Sequence, residues 1–116
     1  MACDKSLLPV KKERILFKLS IVSICYENPD ELKSTLQSIV NSKLLADYGD
    51  YIDIVVVDGS SSTVCRTVVS SYFSTLVNNY NQGSDKGIYD AMNKGVKFAL
   101  GEQVLFLNSG DILESS

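Results

Sequence analysis

The sequence predicts an α/β fold: a Rossmann-like, mostly parallel sheet with helices on both faces. Short apolar, β-branched runs alternate with stretches of helical periodicity, the connections between them are short, and polar residues gather where the runs end. The chain has 116 residues, 45% of them apolar, enough for one core and one compact domain but not for two.

Leu19 to Cys25 is a β-branched run that gives way to the turn formers of Tyr26 to Asp30, so it reads as a strand and a loop. From Pro29 onward Leu32, Leu36, Ile39 and Val40 recur at helical spacing, with Asn28 as the cap and Pro29 in the first turn. Tyr51 to Val57 is a second strand, almost wholly apolar as a strand covered on both faces should be, and it stops at Asp58-Gly59. Ser60, Ser61 and Ser62 offer hydroxyl caps to a second helix with Val64, Val68, Tyr72 and Leu76 on one face. A brief third strand is expected near Val77 to Tyr80. After the polar loop Asn81 to Gly87 comes a helix whose Ile88, Ala91, Met92, Gly95 and Ala99 share a face, closed by Gly101. Val104 to Leu107 is a fourth, buried-type strand, followed by the turn Asn108 to Asp111. Such β-α-β alternation implies parallel strands joined by right-handed crossovers.

Residues 1–18 carry Lys5, Lys11, Lys12, Arg14 and Lys18 but no continuous apolar core and no cleavage pattern. They read as a loose basic leader rather than a secretory signal, and the domain as residues 19–116. The net charge of -3 and the absence of His, with no basic stripe, argue against a nucleic-acid partner. A phosphate-bearing small ligand is compatible with that charge, because a metal ion or a helix amino terminus supplies local positive potential. Cys3, Cys25 and Cys65 are odd in number and far apart in sequence, with no His beside them. They suggest neither a disulfide framework nor a zinc site, and a reducing cytoplasm fits. No stretch approaches the roughly 20 apolar residues of a membrane span.

In open parallel sheets, ligands bind beyond the carboxyl ends of the strands, and this sequence loads those ends with polar groups. Asp58 ends the second strand, where a carboxylate accepts hydrogen bonds from a base or a ribose, and Gly59 lets backbone approach a ligand closely. As a bare motif Asp58-Gly59 is also an ordinary turn. Asp85 and Lys86 precede the third helix and either cap it or touch a ligand, Lys86 by pairing with phosphate. Asp90, Asn93 and Lys94 read as a solvated helix face. Asp111 is either a turn acid or a ligand for a divalent cation bridging two phosphates. Cys25, at the end of the first strand, is a small buried residue rather than a nucleophile, since no His exists to activate it. Tyr26 and Glu27 beside it are placed to flank a bound base. No G-x-G-x-x-G or G-x-x-x-x-G-K follows the first strand, so nicotinamide dinucleotide and P-loop readings are disfavoured. A phosphoacceptor receiver built on Asp58 lacks the paired acids such a site needs after its first strand.

The segments Ser20-Ile-Val-Ser-Ile-Cys-Tyr-Glu-Asn28, Val55-Val-Val-Asp-Gly-Ser-Ser-Ser-Thr63, Ser84-Asp-Lys-Gly-Ile-Tyr-Asp-Ala-Met-Asn-Lys-Gly95 and Gly101-Glu-Gln-Val-Leu-Phe-Leu-Asn-Ser-Gly-Asp111 resemble, in order, the motifs of family 2 glycosyltransferases with a GT-A fold. The third is close to the form seen in bacterial transferases that build capsule, exopolysaccharide or O-antigen. The resemblance covers residues 19–113. It implies a nucleoside diphosphate sugar donor, Mg²⁺ or Mn²⁺, inversion at the anomeric carbon, and a glycan or lipid-linked acceptor. It further implies a cytoplasmic enzyme, with peripheral association at the inner face of the membrane. The resemblance places Asp58 against the nucleotide base and Asp85 with neighbouring loop residues in the donor pocket. The implied donor-binding set is Cys25, Tyr26, Glu27, Asp58, Gly59, Asp85, Lys86, Asn108 and Ser109, with Asp111 as the metal ligand. Asn108 and Gly110 stand where the family often has Asp, which leaves Asp111 as the sole carboxylate of its D-x-D-like motif. Family members continue into acceptor-binding elements and a general base beyond this point, so the chain reads as a partial GT-A domain, the donor-binding part of a longer transferase. The alternative is a noncatalytic nucleotide-binding or interaction module.

Overall fold

The computed structural model describes residues 16–72 and 76–114, so most of the predicted leader, Cys3 included, lies outside the described residues. The central strand is β1 (Leu19–Cys25), and beside it runs β2 (Ile52–Asp58), each of whose seven residues is buried. The two are parallel and paired from Leu19↔Ile52 to Cys25↔Asp58. β3 (Asn79–Gln82) lies outside β2 and β4 (Gln103–Phe106) outside β1, giving a four-stranded parallel sheet of order β3-β2-β1-β4. The order reverses direction between β1 and β4, and there the crossover changes face.

That change of face is visible in the packing. Ile21, Cys25, Ile54 and Val56 point to the side covered by α1 (Pro29–Val40) and α3 (Val64–Ser70), where they meet Leu32, Leu36, Ile39, Cys65 and Val69. Val22, Ile24, Val55 and Val57, one residue out of phase, point to the other side and pack on Ala91 of α4 (Ile88–Phe98). Period-2 alternation with both sides apolar makes β1 and β2 continuous apolar runs. Each fully buried Ile, Leu or Val contributes about 1.5–3 kcal/mol through removal from water. Gly95 allows α4 to approach closely, since a Cβ there would collide with the Val22 side chain.

Several expectations are corrected in detail. The segment after α1 forms a short helix, α2 (Lys43–Tyr48), capped by the Ser42 hydroxyl accepting from the Leu45 N–H at 3.1 Å, and a 3-10 turn (Gly49–Tyr51) that removes Tyr51 from the strand. α3 ends at Ser70 and its buried residues are Cys65 and Val69; of the expected face, Val68 and Tyr72 pack partly buried against the same core, Leu76 belongs to it, and Val64 is exposed, while residues 73–75 of the expected helix lie outside the described residues. Asn28 stands at the N-cap of α1 but its side chain does not cap; Asn28 Oδ1 accepts from the Tyr26 N–H instead (2.9 Å). β3 sits two residues later than expected. β4 is not buried: Val104 and Leu105 are each more than a third exposed, because among the described residues β4 has a neighbour on one side only. Gly101 does not close α4, whose C-cap is Ala99. It lies against β1, where a Cβ would come within 2.6 Å of the Leu19 carbonyl carbon and the Ser20 nitrogen.

At the amino end of the sheet a buried polar clasp fixes that crossing. Asp53 Oδ2 accepts from the Ser20 hydroxyl (2.8 Å) and the Leu100 N–H (2.9 Å), and Ser20 Oγ accepts from the Gly101 N–H (2.7 Å). The clasp orients the α4–β4 connection against β1. No helix among the described residues is long and apolar enough to cross a membrane.

Candidate functional site

β1 and β2 end side by side at Cys25 and Asp58, and the loops that leave them are laced together. The Gly59 N–H donates to the Cys25 carbonyl (2.9 Å) and the Glu27 N–H to Ser60 Oγ (2.7 Å). Glu27 takes a left-handed backbone conformation, φ 51°, uncommon for a residue with a side chain. Its carboxylate accepts from the N–H and hydroxyl of Ser61, each at 3.0 Å, and from the Ser62 hydroxyl. These bonds, Ser62 first and the Ser61 backbone next, hold the Glu27 carboxyl below its ordinary range. The serines expected to cap α3 therefore serve Glu27 instead.

Asp58 is fully buried. Oδ1 accepts from the Ser60 N–H at 2.9 Å and Oδ2 from the Tyr80 hydroxyl at 2.6 Å. Tyr80 belongs to β3, whose Gln82 adds three more ties, donating to the carbonyls of Ser60 (3.0 Å) and Ser62 (2.9 Å) and accepting from Arg66. Burial and the Asp58 carboxylate push the Tyr80 phenol up, so it stays a donor. Sequence reasoning did not single out Tyr80, Gln82 or Arg66. The polar character of Asn79–Gln82 in a strand position was the available signal.

Cys25 and Cys65, remote in sequence, come together in space with Asp58; their ligand atoms and a carboxylate oxygen lie within 4.8 Å of one another, all buried. Both thiols are free. Burial, followed by the Asp58 charge, pushes the Cys25 thiol far up, so it stays protonated. A buried neutral thiol is not a nucleophile, and thiol sulfur is a poor ligand for a hard cation.

A cavity of about 380 Å³ opens at the carboxyl end of β1, lined by Ile24, Cys25, Tyr26, Asp85, Gly87, Ile88 and Ala91. Tyr26 is 68% exposed beside it. The amino end of α4 forms its far wall. Gly87 precedes that helix at φ 115°, and no side chain caps it. Asp85 folds inward over Gly59, where a Cβ would collide with Asp85 Oδ2. Asp85 Oδ1 is 2.7 Å from Lys94 Nζ in a largely buried ion pair. The Asp85 contact, foremost, raises the Lys94 pKa. Lys94, read from the sequence as part of a solvated face, is thus an inward-turned residue. Lys86 does not line the cavity; its N–H donates to Asp90 Oδ2 (2.9 Å), so Asp90 ties the loop to α4 alongside the Asp85–Lys94 pair. A larger opening of about 700 Å³ lies at the opposite, amino end of the sheet, among Phe17, Lys18, Asp50 and Asn78. It is away from the switch in strand order and holds none of the convergent polar strand ends, so the smaller cavity is the better candidate.

The turn after β4 abuts the same end of β1. The Ser109 N–H donates to the Ile24 carbonyl (3.0 Å), and the turn is held to α1 by Thr35, whose Oγ1 accepts from the Gly110 N–H (2.9 Å) and donates to the Asp111 carbonyl (2.7 Å). Gly110 takes φ 99°. Asp111 Oδ2 accepts from the Asn108 N–H at 3.1 Å. Asn108 Oδ1 and Ser109 Oγ are buried and have no hydrogen-bond partner, an arrangement that costs free energy unless something else satisfies them. A carboxylate, an amide oxygen and a hydroxyl are hard oxygen donors, the set that suits Mg²⁺ or Mn²⁺. The structure thus brings Cys25, Tyr26 and Asp85 onto the cavity, sets Asp58, Gly59 and Glu27 behind and beside it, leaves Lys86 outside, and places Asn108, Ser109 and Asp111 at the adjoining strand end.

Comparison with known proteins yields consistent likenesses. The family described as "Glycosyl transferase family 2" matches residues 20–115. A "PGL/p-HBAD biosynthesis glycosyltransferase" of Mycobacterium bovis (strain BCG / Pasteur 1173P2) is 36% identical over 67 residues, 56% of this chain and 26% of the relative. The chain therefore spans about a quarter of that relative's length. Among solved structures, S. aureus TarS superposes with a TM-score of 0.72 at 25% identity, over 86% of this chain and 18% of TarS; its 1-349 portion has been solved in complex with UDP-GlcNAc. The mannosyltransferase PcManGT from Pyrobaculum calidifontis, in complex with GDP-Man and Mn²⁺, gives a TM-score of 0.72 at 17% identity over 86% of this chain and 29% of that one. At that identity the likeness concerns the fold.

Proposed function

This chain belongs to glycosyl transferase family 2, and from that premise we propose that it binds the nucleoside diphosphate sugar donor of a glycosyltransferase at the carboxyl ends of β1, β2 and β4. The carrying observation is the cavity at the end of β1, next to the reversal in strand order, with an aromatic side chain, a carboxylate and an uncapped helix amino end on its walls. Ligands of open α/β sheets sit at this position.

In this reading Tyr26 offers its exposed ring to the base and Asp85 accepts hydrogen bonds from donor groups on the base or ribose. The amino end of α4 favours the negative diphosphate. Cys25 forms apolar floor. Asp58 and Glu27 act from behind: they hold the loops that carry Gly59, Ser60 and Tyr26 in place, and a direct contact between Asp58 and the base requires the ligand to displace the Tyr80 hydroxyl. Lys86, on the outer side of the loop, reaches phosphate only if the loop turns. Asp111, Asn108 and Ser109 would hold Mg²⁺ or Mn²⁺, which when bound neutralises the charge of the departing diphosphate. The complete enzyme is proposed to work in the cytoplasm, at the inner face of the membrane, on a glycan or lipid-linked acceptor of bacterial surface polysaccharide type, with inversion.

A second reading, donor binding without transfer, is favoured by one observation: the single carboxylate on the cavity, Asp85, is tied to Lys94 and so is poorly placed to deprotonate an acceptor hydroxyl. Titration calorimetry with UDP and GDP, with and without Mn²⁺, tests the first statement; absence of binding to both would sink it. Incubation with radiolabelled UDP-sugar and an acceptor separates the two readings, since turnover by this chain excludes the noncatalytic one.

A further inference from the structure

We propose that Lys94 is a positioning residue for donor binding: from outside the cavity it holds Asp85, and with it the β3–α4 loop, in the conformation that receives the nucleotide. The inference rests on the donor-binding reading above.

Lys94 lies nearly two turns into α4 and does not line the cavity. Its ammonium nevertheless makes two 2.7 Å hydrogen bonds to the loop, one to Asp85 Oδ1 and one to the Ser84 carbonyl, with Asp90 Oδ2 further away at 3.9 Å. The loop's backbone is tied at two other points, the Gly83 N–H donating to the Asp58 carbonyl (3.0 Å) and the Lys86 N–H to Asp90 Oδ2 (2.9 Å), but neither bond holds the Asp85 side chain. Beyond those ties the loop runs through Gly87, whose φ of 115° is a backbone conformation that favours glycine. On the far side, Asp85 Oδ2 occupies the space that the missing Cβ of Gly59 leaves free. The Asp85 side chain is 12% exposed and that of Lys94 is 28% exposed. A carboxylate so enclosed is tolerated because the cation is there; without it, the side chain gains by swinging out to water. Since Asp85 is itself a wall of the cavity, that movement dismantles the binding surface while leaving the apolar core of α4, formed through Ala91 and Gly95, in place.

The competing role for Lys94 is to leave Asp85 and bind the donor phosphates directly. The two roles differ in how they couple to Asp85. If Lys94 acts by positioning, its effect passes through the carboxylate and vanishes when Asp85 is neutral. If it binds phosphate, its effect persists in that background.

The test is calorimetric titration of UDP with Mn²⁺ into the full chain and into Lys94→Met, Lys94→Arg, Asp85→Asn and the Asp85→Asn/Lys94→Met pair, with thermal unfolding recorded for each. Positioning predicts about a tenfold loss of affinity in Lys94→Met, the scale of a lost charged hydrogen bond. It also predicts substantial recovery in Lys94→Arg and no further loss when Lys94→Met is added to Asp85→Asn. Wild-type affinity in Lys94→Met, or an equal loss with and without Asp85, overturns the proposal while leaving donor binding intact. Failure of the wild-type chain to bind UDP defeats the donor reading and this proposal together. Should Lys94→Met not unfold cooperatively, Asp85→Asn and Lys94→Arg decide: unchanged affinity in the former, or no retention in the latter, overturns it.

Discussion

Two strand ends of one sheet are built on opposite terms. At the end of β2, Asp58 is fully buried and each oxygen has an internal donor, while Glu27 closes the adjoining loops with three more bonds. At the end of β4, Asn108 Oδ1 and Ser109 Oγ are buried with nothing to bond, and Asp111 accepts only from its own turn. Buried polar atoms are nearly always satisfied in folded proteins, so the two ends differ in how completely they are built. The first is preorganised structure that holds a surface. The second leaves two buried oxygens unpartnered, as are Ser23 Oγ and Asp53 Oδ1 elsewhere in the described residues, and it is the end that the proposed function gives to a metal ion.

The largest effect expected from this contrast is on stability. Asp58→Ala removes the acceptor of the Ser60 N–H and the Tyr80 hydroxyl together and should cost on the order of 2–4 kcal/mol, read by urea denaturation. Asp111→Ala, which loses one hydrogen bond in an exposed turn, should cost below about 1 kcal/mol and instead abolish any gain in UDP affinity from Mn²⁺. Equal destabilisation by the two variants would erase the distinction. Ser109→Ala sharpens it further. Removing an unpartnered buried hydroxyl should leave stability unchanged or raise it by up to about 1 kcal/mol, while weakening Mn²⁺-dependent binding; a clear loss of stability would mean that the hydroxyl is already satisfied.

The smallest effect is that of Glu27 on pH dependence. Its folded pKa lies below the ordinary 4.5, so the unfolded chain binds its proton first. The stabilisation is therefore present above about pH 4.5 and is lost as the pH falls through the folded value. The thermal midpoints of wild type and Glu27→Gln should differ at pH 6 and converge below pH 4.5. A gap that stays constant to pH 3 would show that the serine contacts do not depend on the charge.

How much of this was legible in the sequence varies with the kind of signal. The alternation of elements, the parallel sheet with helices on both faces and the buried strands β1 and β2 were readable, because a strand covered on both sides must be apolar throughout. β4 looked equally buried, since apolar composition reports what a segment prefers to cover and not whether the described residues cover it. Lys94 and Tyr80 were missed for a shared reason. Their importance lies in pairs far apart along the chain, with Asp85 and Asp58, and periodicity has no access to such pairs. The serines at 60 to 62 misled for the same reason: a hydroxyl before a helix predicts a cap, but the Glu27 carboxylate, brought close by the pairing of Cys25 with Asp58, is the stronger partner.

In the proposed function a nucleoside diphosphate binds at the carboxyl end of β1 and not at the larger opening at the other end of the sheet. Backbone amide NMR of the labelled chain during titration with UDP and Mg²⁺ tests this most directly. Binding at the end of β1 predicts saturable shifts at Tyr26, Asp85, Gly87 and Ser109 with little change at Lys18 and Asp50. Shifts confined to Lys18, Asp50 and Asn78, or none at saturating UDP, would contradict it.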